Sequence, residues 1–331
     1  MWLHTMGLLV MLALGLLVPP CTAEAQQALR VYRIGWLSAG PPPPTPTVQM
    51  QAFQQGLRDL GYVEGQNLII EYRYGEGKAE RLREVAAELV QLPVDVIVAG
   101  GASGTRGAQR ATRTIPIVMT GNYDPVGEGF VASLARPGGN ITGLSNLRAE
   151  LISKQLEFLK ETVPQSTRIA VLANPVSPGH VPLLHNLTVA AEALKLSVHV
   201  VEVRRAEELD NAFAVMGQAG ADALIVFAEP QLIDPLRGRI AALTVTSRLP
   251  AMCAAKDDVE AGCLMSYGPR PRDIQRRVAV YVDKILKGAN PADLPVEQPT
   301  TFDLVLNLKA AQAIGLTMPP SVLFQAAEVI Q

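Results

Sequence analysis

Apolar residues fall along this chain in two alternating rhythms. Short, nearly continuous β-branched runs recur: VYRIGWL at 31–37, LIIEYRY at 68–74, VDVIVA at 94–99 and IPIVMT at 115–120. The last two are apolar on both sides, as expected of strands buried on both faces of a parallel sheet. Between the runs, apolar positions space out at three and four residues. Phe53, Leu57 and Leu60 form one stripe, closed by Gly61; Leu82, Val85, Ala86 and Leu89 form the next. That spacing predicts amphipathic helices. The rhythm then restarts. RIAVLA (168–173), LSVHVVEV (196–203), ADALIVF (221–227) and LPAMCA (249–254) predict further strands, with helices over 206–219 and 232–247 between them. Two successive β-α-β-α series imply an α/β fold with two Rossmann-like, doubly wound parallel sheets.

The tail carries elements for both sheets. Residues 273–287 read as a helix with Val278, Tyr281, Val282 and Ile285 on one side. Pro291, Pro295 and Pro299 punctuate an extended stretch, TFDLVLN (301–307) is a strand, and helices follow at 308–314 and after Pro319-Pro320. The chain therefore crosses between lobes more than once, which makes a hinge of several strands over a cleft.

A length of 331 residues suits two such domains. An apolar content of 48% against 18% charged argues for globular lobes over disorder. The net charge of −2, with no long basic run, points away from nucleic acid or an anionic membrane as a partner. Residues 6–18, MGLLVMLALGLLV, are too short to span a bilayer and have the length of a signal-peptide core. Ala23-Glu24-Ala25 follows as a cleavage site, so residues 1–25 are read as a signal peptide and the mature chain as exported to the periplasm. Val18-Pro19-Pro20 before Cys21 makes a poor lipobox, and no lipid anchor is expected. Cleavage leaves Cys253 and Cys263, either a disulfide in an oxidising compartment or two buried thiols.

In parallel α/β sheets ligands sit beyond the carboxyl ends of the strands. The loops there are Ser38-Ala39-Gly40 with the run Pro41–Pro44, then Gly100-Gly101-Ala102-Ser103-Gly104-Thr105, then Asn122-Tyr123-Asp124-Pro125. In the second lobe they are Asn174-Pro175, Ala228-Glu229-Pro230 and Lys256-Asp257-Asp258. The glycine-rich loop opens a helix. Its backbone N–H groups and the Ser103 and Thr105 hydroxyls either hold a small anion or form an ordinary glycine turn and cap. Asp124, Glu229 and Asp257 suit an ammonium group, or cap and solvate their loops. Asp124 stands before a short helical stretch, Val126–Leu134. Tyr123, Phe227 and Tyr267 are candidate walls, with Phe227 better placed as core. Gly101-Ala102-Ser103-Gly104-Thr105 fails the nucleophile-elbow pattern at its last position, and the four histidines show no metal spacing. Ala102, Gly104 and Gly107, with Asp124 about 20 residues on, form a degraded nicotinamide fingerprint, the competing enzyme reading.

Three stretches carry a resemblance. They are GLRDLGYVEGQNLIIEYRYGEG (56–77), IPIV…DPVGEGFVASLARPGGNITGLS (115–145) and MSYGP…YVDKILKGANPADLPVEQPTTFDLVLNLKAAQAIGLTMPPSVL (265–323). In them the chain resembles the exported substrate-binding proteins of ABC transporters, in a subfamily with tryptophan-binding-like members. The resemblance implies a type I periplasmic-binding architecture with three crossovers, near Asn140–Leu147, Ser266–Arg270 and Glu297–Asp303. Lobe 1 is then residues 26–144 plus 270–298, and lobe 2 residues 145–269 plus 299–331. It also implies a monomeric, non-enzymatic receptor that needs no cofactor. Such a receptor captures an amino acid or related metabolite and passes it to an inner-membrane ABC permease, or alternatively signals to a sensor kinase. The candidate ligand contacts are Ser38, Gly101, Ala102, Ser103, Thr105, Tyr123, Asp124, Ser145, Asn174, Glu229, Asp257 and Tyr267. Ser103 and Thr105 are assigned to an anionic end, Asp124 and Glu229 to a cationic one. The chain departs from the family pattern at the proline run after Leu37 and at Cys263, where a glycine is expected.

Overall fold

The computed structural model describes residues 30–122, 124–146, 148–177, 179–229 and 232–331. The signal-peptide assignment and Tyr123 lie outside the described residues. The elements below all belong to one unit, Tyr32–Gln331.

The first sheet follows the first apolar rhythm. Strands β1 (Tyr32–Ser38), β2 (Leu68–Tyr74), β3 (Val96–Ala99), β4 (Ile117–Asn122) and β5 (Ile141–Ser145) lie in the order β2-β1-β3-β4-β5, every pair parallel. The central strand β3 is VIVA, fully buried at each residue. Helices α1 (Val48–Asp59), α2 (Ala79–Gln91) and α3 (Gly101–Ala111) return the chain between strands. Thr47 caps α1 by accepting the Met50 N–H. The buried face of α2 is Leu82, Val85, Ala86 and Leu89, the stripe read from the spacing.

The second sheet has the order β12-β11-β10-β9-β8-β6-β7. Its strands are β6 (Arg168–Ala173), β7 (Ser197–Glu202), β8 (Ala223–Val226), β9 (Ala251–Cys253), β10 (Met265–Pro269), β11 (Phe302–Asn307) and β12 (Glu328–Ile330). Helices α4 (Arg148–Thr162), α5 (His180–Ala193), α6 (Leu209–Gln218), α7 (Arg237–Thr246) and α8 (Lys256–Glu260) connect the first of them. All neighbours are parallel except β10 and β11, which run antiparallel. Strand β11 enters the sheet from the other lobe, so no βαβ crossover fixes its direction. Apolar cores lie on both faces of each sheet.

The chain passes between the sheets three times: after β5 into α4, after β10 into α9 (Pro271–Leu286), and through residues 297–302 into β11. Helix α9 returns to the first sheet and packs on α1 so closely that a Cβ on Gly56 would lie 2.8 Å from the Ala279 Cβ. After β11, α10 (Leu308–Ala313) and α11 (Pro320–Gln325) stay with the second sheet.

One expected element is different. Val126–Leu134 forms turns instead of a helix. Both Phe130 and Val131 donate to the Pro125 carbonyl, and Gly129 takes φ +70°, which breaks the helical ladder.

Gly143, in β5, takes φ +129°, and a Cβ there would meet the Met119 carbonyl oxygen at 2.3 Å. That contact is with backbone and cannot be relieved by a rotamer. Gly143→Ala is expected to cost about 3 kcal/mol or more of unfolding free energy, the scale of strain at a forbidden backbone conformation plus overpacking. Urea unfolding of both proteins reads it directly.

Candidate functional site

A cavity of about 810 Å³ opens where the carboxyl ends of both sheets face each other. One wall is Ser38 after β1, Gly100 to Ser103 at the start of α3, and Thr120 to Asn122 at the end of β4. The opposite wall is Ala228 and Glu229 after β8, Asp234 and Arg237, and Asp257 and Asp258 of α8. The crossings supply Asn146, Pro269, Ile274 and Gln275. Trp36, Tyr74, Met50 and the run from Pro41 to Pro46 add an apolar side.

The glycine-rich loop is built for this position. Gly101 takes φ +62°, a left-handed turn that brings α3 off β3. A Cβ at Gly104 would press the Leu37 carbonyl oxygen at 3.2 Å, so the glycine lets α3 sit tight on β1. Among the described residues no side chain caps α3. Its first N–H groups, which have no partner within the helix, therefore face the cavity at the positive end of the helix dipole.

Beside them stands Asn122. Gly121 takes φ +98° and the β4–β5 register slips between Thr120 and Asn122, a bulge that re-aims the strand end. Asn122 is 1% exposed and lines the cavity. Its Oδ1 accepts from the Thr105 hydroxyl at 3.3 Å, whereas its Nδ2 has no hydrogen-bond partner among the described residues. A buried amide N–H without an acceptor is costly, and an acceptor brought into the cavity would remove that cost.

The predicted residues separate into three groups. Ser38, Gly101, Ala102, Ser103, Glu229 and Asp257 line the cavity. Thr105, Ser145 and Asn174 are buried behind it. The Thr105 hydroxyl shares its one proton between the Gly101 carbonyl at 2.8 Å and Asn122 at 3.3 Å, bracing both from behind the wall. The Ser145 backbone is held by Glu297. Asn174 donates Nδ2 to Glu229 at 3.1 Å and takes the Val176 N–H on its Oδ1. Asp124 and Tyr267 stand away from the cavity wall. Asp124 accepts the Gly127 N–H at 2.8 Å and is a turn cap. Tyr267 packs its ring between Phe158 and Phe302. Phe227 is core, edge-on to His180. Asn122, Gln275, Trp36 and Tyr74 were not selected from the sequence; only Asn122 stood in a strand-end loop.

The acidic wall is held in place by its own bonds. Glu229 is 1% exposed and accepts the Leu232 N–H at 2.8 Å, while Asp234 accepts the Glu229 N–H. His180 accepts the Asn174 N–H at Nδ1 and sits against the Ala228 carbonyl at Nε2. Burial lowers its pKa, so the neutral ring locks this loop. Arg237 lies 3.4 Å from Asp258 and 3.8 Å from Asp257. Asp257 also reaches across the cleft to accept from Gln49 of α1 at 2.9 Å. Cys253 and Cys263 form a disulfide that brackets α8, the helix carrying Asp257 and Asp258.

Two sheets joined by three crossings, with a cavity at their facing strand ends, define the type I periplasmic-binding architecture. The chain belongs to the ABC transporter substrate binding protein family, whose model matches residues 44–330. A solved ABC domain from Streptococcus pneumonia in complex with L-Trp has a TM-score of 0.83 and 28% identity, covering 91% of this chain and all of that one. A conserved domain protein from Vibrio cholerae gives 0.85 and 28% at the same coverage. A tyrosine-binding protein of Clostridioides difficile is 25% identical over 269 residues, 80% of this chain and 76% of the relative. No described helix is long and apolar enough to cross a membrane.

The turn after β4 generates a pH prediction. Burial pushes the Glu128 carboxyl up to about 7, against the lowering effects of the Asp124 N–H and Arg106. A raised carboxyl favours folding while it is protonated. Its contribution is complete below the ordinary glutamate range and lost as pH rises through about 7. Glu128→Gln keeps the neutral form at every pH. Its Tm relative to the natural chain is expected to rise between pH 5 and pH 8, and equal pH slopes would contradict this.

Proposed function

We propose that this chain is an exported receptor for a free amino acid, binding it in the cleft without turnover and delivering it to an ABC permease. The carrying observation is the buried Asn122 Nδ2, unpartnered among the described residues, beside the start of α3, which no described side chain caps. Together they make a seat for one carboxylate. Across the cavity, Glu229, Asp257 and Asp258 present negative charge toward an ammonium. Trp36, Tyr74 and the prolines offer an apolar side to the ligand's own side chain. Two relatives, one solved in complex with L-Trp and one a tyrosine-binding protein, favour an aromatic one. Export rests on the signal-like residues 6–18 and on the family. The receptor acts as a monomer whose lobes, residues 26–144 plus 270–298 and 145–269 plus 299–331, close about the three crossings on binding.

Isothermal titration of the mature chain with L-tryptophan, L-tyrosine and L-leucine tests the reading. An aromatic amino acid is expected to bind. Asn122→Ala should weaken it about 10- to 100-fold, the scale of one charge-assisted hydrogen bond lost. Unchanged affinity in Asn122→Ala would move the carboxylate elsewhere and overturn the assignment.

A further inference from the structure

Gln275 lies one turn into α9, just past the second crossing, and lines the cavity beside Pro271 and Ile274. It is 7% exposed, and its Oε1 has no hydrogen-bond partner among the described residues. Two other cavity residues carry such an atom. The Arg237 Nε stands 3.4 Å from Asp258 and so has an ionic counterpart. Asn122 offers an N–H. Gln275 therefore supplies the opposite polarity, a buried acceptor on the hinge side of the same cavity. A buried carbonyl left without a donor is costly, and a cleft that closes on a ligand removes that cost when the ligand brings the donor.

We propose that Gln275 is a specificity-determining residue whose Oε1 accepts a hydrogen bond from the ligand's ammonium group, so that the cleft selects amino acids over the corresponding acids without nitrogen. This rests on the amino-acid reading above. An ammonium is the donor because the same cavity is lined by Glu229, Asp257 and Asp258, which favour a cation within it. A neutral amide acceptor adds direction without burying a further negative charge. Discrimination follows from the same atom. An acid lacking the nitrogen leaves Oε1 buried and unpaired, which is the arrangement that rejects analogues most strongly.

The test is titration of L-tryptophan and of indole-3-propanoate, the same skeleton without the nitrogen, into the natural chain, Gln275→Leu and Gln275→Glu. The natural chain is expected to prefer L-tryptophan by about 10-fold or more. Gln275→Leu should weaken L-tryptophan about 10- to 100-fold and leave indole-3-propanoate unchanged. Gln275→Glu, which keeps an acceptor, should bind L-tryptophan at least as well as Gln275→Leu does and retain the preference. If Gln275→Leu does not fold, the Glu variant decides through that preference. Equal loss for both ligands in Gln275→Leu makes the residue a packing element and overturns the proposal. If the natural chain binds both ligands equally, capture in the cleft stands and the role of Gln275 falls. If it binds neither, and L-tyrosine and L-leucine do not bind either, the amino-acid reading itself fails and this proposal falls with it.

Discussion

Glu297 ties the three crossings together. Its backbone N–H donates to the Gly143 carbonyl, and its own carbonyl accepts from Ser145, which joins the third crossing to the end of β5 at the first. Its carboxylate takes the guanidinium of Arg277, on the helix that follows the second. That guanidinium holds the Glu297 carboxyl below the usual glutamate range. Tyr281, one turn further along α9, donates to the Pro295 carbonyl. The hinge is thus a short ladder with a charged brace, and the cavity walls begin within a few residues of it, at Asn146 and at Pro269. A receptor of this kind needs lobes that are rigid one by one and joined by few bonds. The hydrophobic cores supply the first condition and this ladder the second.

The two walls differ in polarity for reasons that lie in the backbone. On the first sheet, an uncapped helix start and a bulged strand end leave N–H groups facing the cavity. On the second, acids follow the strand ends and are fixed there, Glu229 in its loop through Asn174 and Leu232, Asp258 in α8 through the Ala255 N–H. Fixed groups lose little freedom when a ligand arrives, which is how a small contact area yields selective binding. The disulfide serves the same end by closing a short loop around α8. The Gln49–Asp257 hydrogen bond spans the cleft and adds a polar contact between its two walls.

Much of the fold was legible because burial on both faces leaves an unmistakable trace. VIVA, RIAVLA and ALIV are strands with hardly a polar residue to compete. The α2 stripe repeats at helical spacing and is buried residue for residue. The site was less legible. Loops after strands pointed to Ser38, Ser103, Glu229 and Asp257, but a loop position does not say which way a side chain turns. Thr105 lies on the inner side of α3, one turn from Gly101, and so braces the site from behind. Asn122 faces the cavity because of a bulge at Gly121, and a bulge has no periodic signature. Gln275 sits in an amphipathic helix where a polar residue looks like a solvated one. The three residues of β12 are too few to show alternation.

A cleft that holds one free amino acid by its two charged ends retains it through gentle purification. Native mass spectrometry of the mature protein, purified from exporting cells and sprayed before and after mild unfolding, tests it most directly. A single adduct of amino-acid mass that leaves on unfolding and returns when the identified compound is added back is expected. An adduct of dinucleotide mass, or a bound compound that the protein converts to product, would contradict it.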